Sequence, residues 1–526
     1  MKQTIKYMFF PILLLLSYSC KKDLGSYNYH SIDSVFIQGI EKTYVMKIGG
    51  NPGIVPQLSH SSGSSLSSSD YDFEWLAYRQ GLNQEPLRIS TKEHLNEVIS
   101  LPIGDYTVYF KAKEKSTNLL WEQKFTIRVG SGFNGGWMIL SDDNGKSKID
   151  LFEWNHTLAN YSKHHTNFQD SIKDVSKNTM SLLGKPKFIT TWSNQTPATG
   201  NGVKYFVYVG TDKNTEKTNV TDGFIWSDQY SFKYETVNPT EFETIDAIRP
   251  TASRDGYVVK GNDVFVKYAV FQVNVGTPIN RLADGTYFKV SPFIAPTAGP
   301  SCLMYDITNK RFVRNMSSAV AVSQTPLTYD QNNAAFNPNK VDMDMVWMNQ
   351  TVAFGGQAYA VLTKSGKYFL ARMTNTASAF SANFLTDITS LPGIAQAQHF
   401  EVDPRYGYLQ YAVGGKIYQY DPSESSVKLM KDYGNKEITV FKYLRSTSVS
   451  YSSVINPNNA NTYGKRFLPD VVGLVVASLD PVAPQTSGKV EVFDTPQFNA
   501  DYKTFLSFNG FGRVADVTEA EFPLGW

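Results

Sequence analysis

Two tryptophans lie in polar surroundings that suit the recognition of a sugar or a peptide. Trp192 is followed by a run of polar turn-forming residues, and Trp347 lies beside Asn349 and Gln350. An exposed indole ring stacks on the apolar face of a sugar, while neighbouring amides bind its hydroxyl groups. The pattern predicts that Trp192 and Trp347 contact a ligand. The alternative is that each ring packs between neighbouring β-sheets.

Other polar motifs give no catalytic or metal site. Asp342 and Asp344 flank Met343 and would share one face of a strand, and a carboxylate pair is what glycosidases need. In β-propeller glycosidases the catalytic carboxylic acids come from different blades of the propeller. We therefore interpret this local pair as the polar edge of a strand. His164 and His165 would point apart on an extended segment, which argues against a shared metal. The sequence contains no phosphate-binding or nucleophile motif, so we predict no catalytic residues, metal or cofactor.

Composition narrows the class of protein. The 526 residues include 50 Lys and Arg against 48 Asp and Glu, a net charge of +2. This balance argues against a nucleic-acid-binding protein or a polybasic membrane surface. The aromatic content of 14%, with 37 Gly and 24 Pro, predicts an all-β protein with many turns. Two cysteines are too few for a disulfide scaffold, and Cys302 is expected to be buried.

The first residues form a targeting signal. Lys2 and Lys6 precede a short apolar segment, residues 7–16, and Cys20 follows it. The segment is shorter than the roughly 20 residues that span a bilayer, but it suits the core of a signal peptide. It resembles a bacterial lipoprotein signal, which implies cleavage after residue 19 and a lipid on Cys20. Residues 20–30 would be a tether, and the mature protein would be anchored to the outer membrane facing the cell exterior.

Residues 31–130 predict an immunoglobulin-like β-sandwich. Alternating apolar residues mark strands at 71–75, 106–112 and 125–129, with Trp75 and Tyr106 in the core. The segments F-E-W (73–75), P-I-G-D-Y-T-V (102–108) and W-E-Q-K-F-T-I-R-V (121–129) resemble the PKD-like domains of Bacteroidetes lipoproteins.

Residues 131–526 contain repeated strand-turn-strand units. Hairpins are predicted around Asn144-Gly145, Ser365-Gly366 and Gly414-Gly415, without a convincing long amphipathic helix. Four-stranded blades of about 50 to 65 residues predict a β-propeller of six to eight blades, with seven as the central value. The alternative is a series of two or more further sandwiches.

Taken together with G-G-W-M-I-L at 135–140, these features resemble the PKD-like family lipoproteins of Bacteroidetes. The resemblance implies an accessory role beside a TonB-dependent nutrient transporter and its lipoprotein lid. We therefore expect a non-catalytic surface protein that binds glycan or peptide and contacts the membrane only through its lipid. A propeller-type hydrolase and a structural or adhesive lipoprotein are the alternatives.

Two serines are candidates for O-glycosylation. Asp33-Ser34-Val35 and Asp170-Ser171-Ile172 resemble the Bacteroidetes glycosylation tripeptide, in which a hydroxyl residue follows Asp and precedes an aliphatic residue. The resemblance implies a glycan on Ser34 or Ser171.

The lipid anchor gives the first prediction. Replacing Cys20 with Ala removes the thiol that would carry the lipid, and without acyl chains the protein has no stable membrane attachment. Fractionation of cells should then recover Cys20→Ala in the soluble periplasmic fraction. Retention of the variant in the membrane fraction would contradict lipidation at Cys20.

Overall fold

The chain folds into β-strands joined by turns and short 3₁₀ helices, as a computed structural model shows. The structure describes residues 34–520, except 65, 81–84, 131, 134, 156–159, 174–177, 193–204, 221–222, 252–254, 269–274, 298–300, 317–322, 352–353, 355, 377–378, 444–472 and 498–499. The described 3₁₀ helices are Ser68–Asp70, Phe168–Ser171, Asp228–Tyr230, Phe232–Glu235, Pro239–Glu241 and Ile394–Gln396. The predicted all-β class is confirmed.

The N-terminal domain pairs two sheets. In the smaller sheet, β1 (Val35–Gln38) pairs with β3 (Gln57–His60). The larger sheet has the order β2-β7-β6-β4-β5, and β2 is parallel to β7. Its strands are β2 (Thr43–Lys47), β4 (Tyr71–Arg79), β5 (Leu87–Ser90), β6 (Gly104–Glu114) and β7 (Leu120–Gly130).

The core of this domain contains the two aromatic residues that the sequence assigns to it. Trp75 is fully buried, its ring lies 4.5 Å from that of Phe110, and its indole N–H donates to the Lys92 carbonyl at 2.7 Å. Tyr106 is also buried, and its hydroxyl donates to the Pro102 carbonyl at 2.8 Å. Each polar tip is therefore satisfied while the ring packs in the core, which confirms both assignments.

Seven antiparallel sheets of three or four strands follow in the described part of the chain. The first combines β8 (Gly136–Asp143), β9 (Lys146–Asn155) and β10 (Asn160–His165) with the last strand, β33 (Arg513–Ala520). The second and third sheets each have three described strands: β11 (Pro186–Trp192), β12 (Phe206–Thr211) and β13 (Thr215–Asn219), then β14 (Ala247–Pro250), β15 (Gly256–Lys260) and β16 (Asp263–Lys267).

The remaining four sheets each have four strands in chain order. The fourth contains β17 (Ala295–Pro296), β18 (Ser301–Asp306), β19 (Arg311–Met316) and β20 (Ser323–Gln324). The fifth contains β21 (Asp344–Thr351), β22 (Gln357–Lys364), β23 (Lys367–Asn375) and β24 (Phe380–Asp387). The sixth contains β25 (His399–Val402), β26 (Leu409–Val413), β27 (Lys416–Asp421) and β28 (Ser426–Asp432). The seventh contains β29 (Glu437–Tyr443), β30 (Gly473–Leu479), β31 (Gly488–Asp494) and β32 (Lys503–Phe511).

Local turn chemistry explains the hairpins. Asn144 and Gly145 have φ angles of 53° and 82°, which suits a two-residue hairpin turn between β8 and β9. Ser365-Gly366 joins β22 to β23, and Gly414-Gly415 joins β26 to β27. The three hairpins predicted from these dipeptides are present.

Apolar clusters join each sheet to the next. One cluster combines Met138 of the first sheet with Val207 of the second, and similar clusters continue from sheet to sheet. The last of them places Trp137 of the first sheet against Val475 and Phe508 of the seventh. The seven sheets therefore pack side by side, and the seventh packs on the first. This arrangement is β-propeller-like, as predicted.

Polar contacts link one edge strand of a sheet to the corresponding edge strand of the next; in the first sheet this edge strand is β33. The Lys442 ammonium group on β29 lies 2.5 Å from Asp516 on β33, and Asp516 accepts a bond from the Ile189 backbone at 3.0 Å. Asn349 on β21 donates to Glu401 on β25 at 2.9 Å. These contacts place the first strands of the sheets next to one another.

The predicted exposure of Trp192 is wrong. Trp192 is the last residue of β11 and is completely buried between the second and third sheets, with its ring 5.3 Å from Tyr208. An added Cβ on Gly256 would lie only 2.3 Å from this ring, so the third sheet has a glycine where the indole packs. The polar run that suggested exposure begins only after the strand has ended.

The predicted exposure of Trp347 is also wrong. Trp347 lies on β21, is 7% exposed and packs 6.1 Å from Phe400 of the sixth sheet. The amides of Asn349 and Gln350 are close in sequence, but burial of the ring against the sixth sheet removes it from solvent. Both tryptophans therefore follow the alternative of packing between sheets. Cys302 is buried, as expected.

Candidate functional site

The structure places the remaining predicted residues as follows. Ser34 and Ser171 are exposed, and Cys20 lies outside the described residues. Asp344 begins β21 and lies 2.8 Å from the Lys310 ammonium group, whereas Asp342 has a φ of 55° and precedes the strand. The interpretation that these two carboxylates share one face of a strand is therefore wrong.

The adjacent histidines lie on strand β10. His164 is 3.2 Å from the carboxylate of Asp150, and His165 is 2.6 Å from that of Glu153. Each ring thus has its own acidic partner. Across the described residues we find no group of three or more His, Cys, Asp or Glu side chains that could hold a metal ion.

A buried ion network lies between the second and third sheets. Glu235, in the 3₁₀ helix Phe232–Glu235, contacts the ammonium groups of Lys217 on β13 and Lys267 on β16. The Tyr208 hydroxyl donates to the same carboxylate at 2.9 Å. Burial raises the pKa of Glu235, but the two lysines more than offset this and lower it to about 2. Since every member has a partner, the network has a structural role.

This network predicts a pH-dependent stability. Because the pKa of Glu235 is depressed in the folded state, its contribution is fully present above pH 4.5 and is lost as the pH falls towards 2. Glu235→Gln leaves two buried lysines without a counter-charge and should lower the free energy of unfolding by about 3–5 kcal/mol at pH 7. Denaturant unfolding should show this difference shrinking below pH 4.5.

The exposed Glu424 provides the control. Glu424→Gln should change the free energy of unfolding by about 0.5 kcal/mol or less. Equal effects of the two substitutions would contradict the structural role of the network.

A second polar group, the Arg314 cluster, consists of Arg314, Gln350 and Asn375. Arg314 lies near the end of β19, Gln350 near the end of β21, and Asn375 at the end of β23. Arg314 is two residues from Phe312 and Gln350 is two residues from Met348, and these apolar residues share the cluster between the fourth and fifth sheets. Side chains two apart on a strand share a face, so the polar residues face the same seam between the fourth and fifth sheets.

The members of the Arg314 cluster are buried and incompletely bonded. Arg314 is 7% exposed, Gln350 is 6% exposed and Asn375 is 1% exposed. Within the described part of the chain, Nε and Nη2 of Arg314, Oε1 of Gln350 and Oδ1 of Asn375 have no hydrogen-bond partner. Asn375 uses its amide nitrogen to donate to the Ala295 carbonyl at 3.4 Å, which ties it to the fourth sheet.

The opposite face of the fifth sheet is also polar at this end. Gln357 begins β22, and its Oε1 has no partner among the described residues; the same holds for Nε of Arg372 on β23. The Arg372 guanidinium lies 5.5 Å from the ring centre of Phe354 and 5.3 Å from that of Phe384. Phe354 is 59% exposed. One end of the fifth sheet therefore combines unsatisfied polar atoms with an exposed aromatic ring.

Such atoms are expensive to leave without partners. A buried donor or acceptor without a hydrogen bond costs about 1–3 kcal/mol, and native proteins contain few of them. Their concentration at one end of the fourth and fifth sheets indicates a place where a ligand or bound water supplies the missing bonds.

One member of this site, Gln350, is predicted from the sequence for a different reason, namely its proximity to Trp347. The structure buries the Trp347 ring and leaves the Gln350 amide oxygen without a hydrogen bond. Arg314 and Asn375 carried no signal, because isolated polar residues on alternating strands resemble solvent-facing positions. Only the packing of the fourth sheet on the fifth identifies them.

Two buried glutamines allow a matched test of the unsatisfied oxygen. Gln350 makes one long bond, from Nε2 to the Thr351 carbonyl at 3.5 Å. Gln410 is fully buried and is bonded to Gln419, Tyr443 and Tyr502. Urea unfolding without ligand should show that Gln350→Met raises the free energy of unfolding by about 1 kcal/mol, because it removes an unsatisfied acceptor.

The same change at Gln410 should lower the free energy of unfolding by about 2–4 kcal/mol, because it breaks three bonds. A similar loss of stability in Gln350→Met would show that its oxygen is satisfied in the protein.

Comparison with known proteins identifies the N-terminal region. Residues 20–186 match the model of the PKD-like family, which spans the N-terminal domain and the strands β8 to β10. The N-terminal part of the chain is PKD-like. That prediction is confirmed. Among curated proteins, none matches this chain.

Several solved structures are similar over most of the chain. A quinonprotein alcohol dehydrogenase-like protein from Bacteroides thetaiotaomicron is 12% identical over 91% of this chain and 97% of that chain, with a TM-score of 0.38. The extracellular domain of a putative one component system from the same organism is 11% identical over 90% and 67%, with a TM-score of 0.34. Apo AztD from Citrobacter koseri is 9% identical over 85% and 97%, with a TM-score of 0.32.

None of the helices described between residues 34 and 520 has the length and apolar character needed to cross a bilayer.

Proposed function

We propose that the protein is a surface lipoprotein whose C-terminal region is a closed seven-bladed β-propeller that binds a glycan or peptide without catalysis. The observation that carries the binding proposal is the group of unpartnered, buried polar atoms in the Arg314 cluster. The ligand would supply the hydrogen bonds that these atoms lack.

Closure of the propeller is supported by the pairing of its first and last elements. Strand β33 pairs with β8 from Arg513 to Ala520, and the apolar cluster of Trp137 joins the first sheet to the seventh. Propellers commonly place ligand sites where the ends of their blades converge. The Arg314 cluster lies at such an end, where β19, β21 and β23 finish or approach their ends.

A binding role agrees with the chemistry of the cluster. Its members are a guanidinium group and two amides, which hold a ligand through hydrogen bonds but contain no nucleophile or carboxylate acid–base pair. Asp342 precedes the strand that carries Asp344, so these two carboxylates do not form the pair on one strand face that suggested hydrolysis.

The proposed location and partners rest on the N-terminal sequence. A lipid on Cys20 would hold the protein at the outer membrane, facing the cell exterior. There it would deliver its ligand to a TonB-dependent transporter and the lipoprotein lid of that transporter.

The test uses the mature chain carrying Cys20→Ala, so that it is free of lipid. It would be screened on an array of glycans and a library of peptides, and the tightest hit titrated by calorimetry. We expect Gln350→Met and Asn375→Leu each to weaken binding of that hit about ten-fold, since a lost hydrogen bond in a buried site contributes about 1.4 kcal/mol.

The control is Gln80→Met on the exposed surface of the N-terminal domain, which should leave the affinity unchanged. A failure of every glycan and peptide to bind, or equal affinities in all the variants, would contradict the proposed function.

A further inference from the structure

Arg314 leaves one complete edge of its guanidinium group unpaired. Nε and Nη2 are both buried and without partners among the residues that the structure describes. These two nitrogen atoms lie side by side on one edge of the planar group, and their N–H bonds point in the same direction. This edge is the fork that binds both oxygens of a carboxylate.

Arg314 forms no ion pair with a described residue, whereas Arg311 on the same strand does. Arg311 donates to the Asp306 carboxylate at 3.1 Å. Arg314 is only 7% exposed. A buried cation of this kind is strongly stabilised by an anion that makes direct hydrogen bonds to it.

The two amide oxygens determine what surrounds the carboxylate. Gln350 Oε1 and Asn375 Oδ1 are neutral acceptors in the same seam. Neutral acceptors match hydroxyl donors, whereas a ligand ammonium group would call for a carboxylate, which the Arg314 cluster does not contain. A ligand with one carboxylate and neighbouring hydroxyl groups carries an acceptor for the guanidinium edge and donors for both amide oxygens.

We propose that the Arg314 cluster recognises a uronic acid unit of a glycan, with the sugar carboxylate on Arg314 and sugar hydroxyls on Gln350 and Asn375. This inference rests on the proposed function and specifies its ligand class. The carboxylate forms two parallel N–H···O bonds to Arg314, and no covalent step is involved.

The test compares ligands that differ only in the carboxylate. The probes are tri-glucuronate and tri-galacturonate, each against the neutral trisaccharide in which the carboxylates are reduced to hydroxymethyl groups. Calorimetry with the mature Cys20→Ala chain should show at least one uronate binding about ten- to hundred-fold tighter than its reduced form, the range expected for bonds to a charged group.

Variants of Arg314 separate the fork from the charge. Arg314→Met should abolish the preference for the acid, so that the acidic sugar and its reduced form bind with equal affinity. Arg314→Lys keeps the positive charge but lacks the two parallel N–H groups of the guanidinium edge, so it should retain only part of the preference for the acidic sugar. Arg88→Met, on the exposed surface of the N-terminal domain, should behave like the parent chain. Unfolding curves confirm that each variant is folded.

Three outcomes would overturn the inference. Equal affinities for the acidic and reduced sugars would show that the carboxylate is not recognised, while the proposed glycan binding would stand. Binding of peptides that end in a free carboxylate, without binding of either uronate, would show that the ligand is a peptide and not a sugar. No binding of any of these probes, together with a destabilising Gln350→Met, would reject both the inference and the proposed function.

Discussion

The hydrogen bonds between β33 and β8 join the last described strand of the chain to the first sheet that follows the N-terminal domain. In each of the later sheets, the edge next to the second strand is taken by the first strand of that sheet in chain order. In the first sheet this position, next to β8, is taken by β33. Without β33, the edge of β8 would expose unpaired backbone groups, and the apolar surfaces of the first and seventh sheets would lose their cover. If the sheets form the closed ring that we propose, loss of this pairing opens the ring between the first and seventh sheets.

The seams between the sheets differ in whether their buried polar groups are paired. Along most of their length they are apolar, and large rings such as Trp192 and Trp347 fill them. The Glu235 network is a polar exception that is fully paired, so it stabilises the structure at neutral pH. The Arg314 cluster is a polar exception that is not paired, and it lies at the end of a seam. The difference between a paired and an unpaired buried group is the reason for assigning structure to one and binding to the other.

The sequence predicted the features that local chemistry determines. Asn144-Gly145 fixes a hairpin because both residues adopt positive φ, and the alternation through Tyr106 fixes a strand with one buried face. The PKD-like domain followed from such local patterns. The burial of Trp192 could not be predicted this way, because it depends on Gly256 of another sheet. The pairing of β33 with β8 and the meeting of Arg314 with Gln350 and Asn375 likewise depend on contacts between distant segments.

Differential scanning calorimetry of the chain shortened to end at Gly512 tests ring closure most directly. The account predicts that the parent C-terminal region unfolds in a single cooperative transition, and that removing β33 abolishes this transition while the transition of the N-terminal domain persists. The loss of unfolding enthalpy would exceed the contribution of one strand, because in a closed ring every seam depends on closure. A C-terminal region that unfolds in several separate steps, or a shortened chain that keeps the parent transition, would contradict the closed ring.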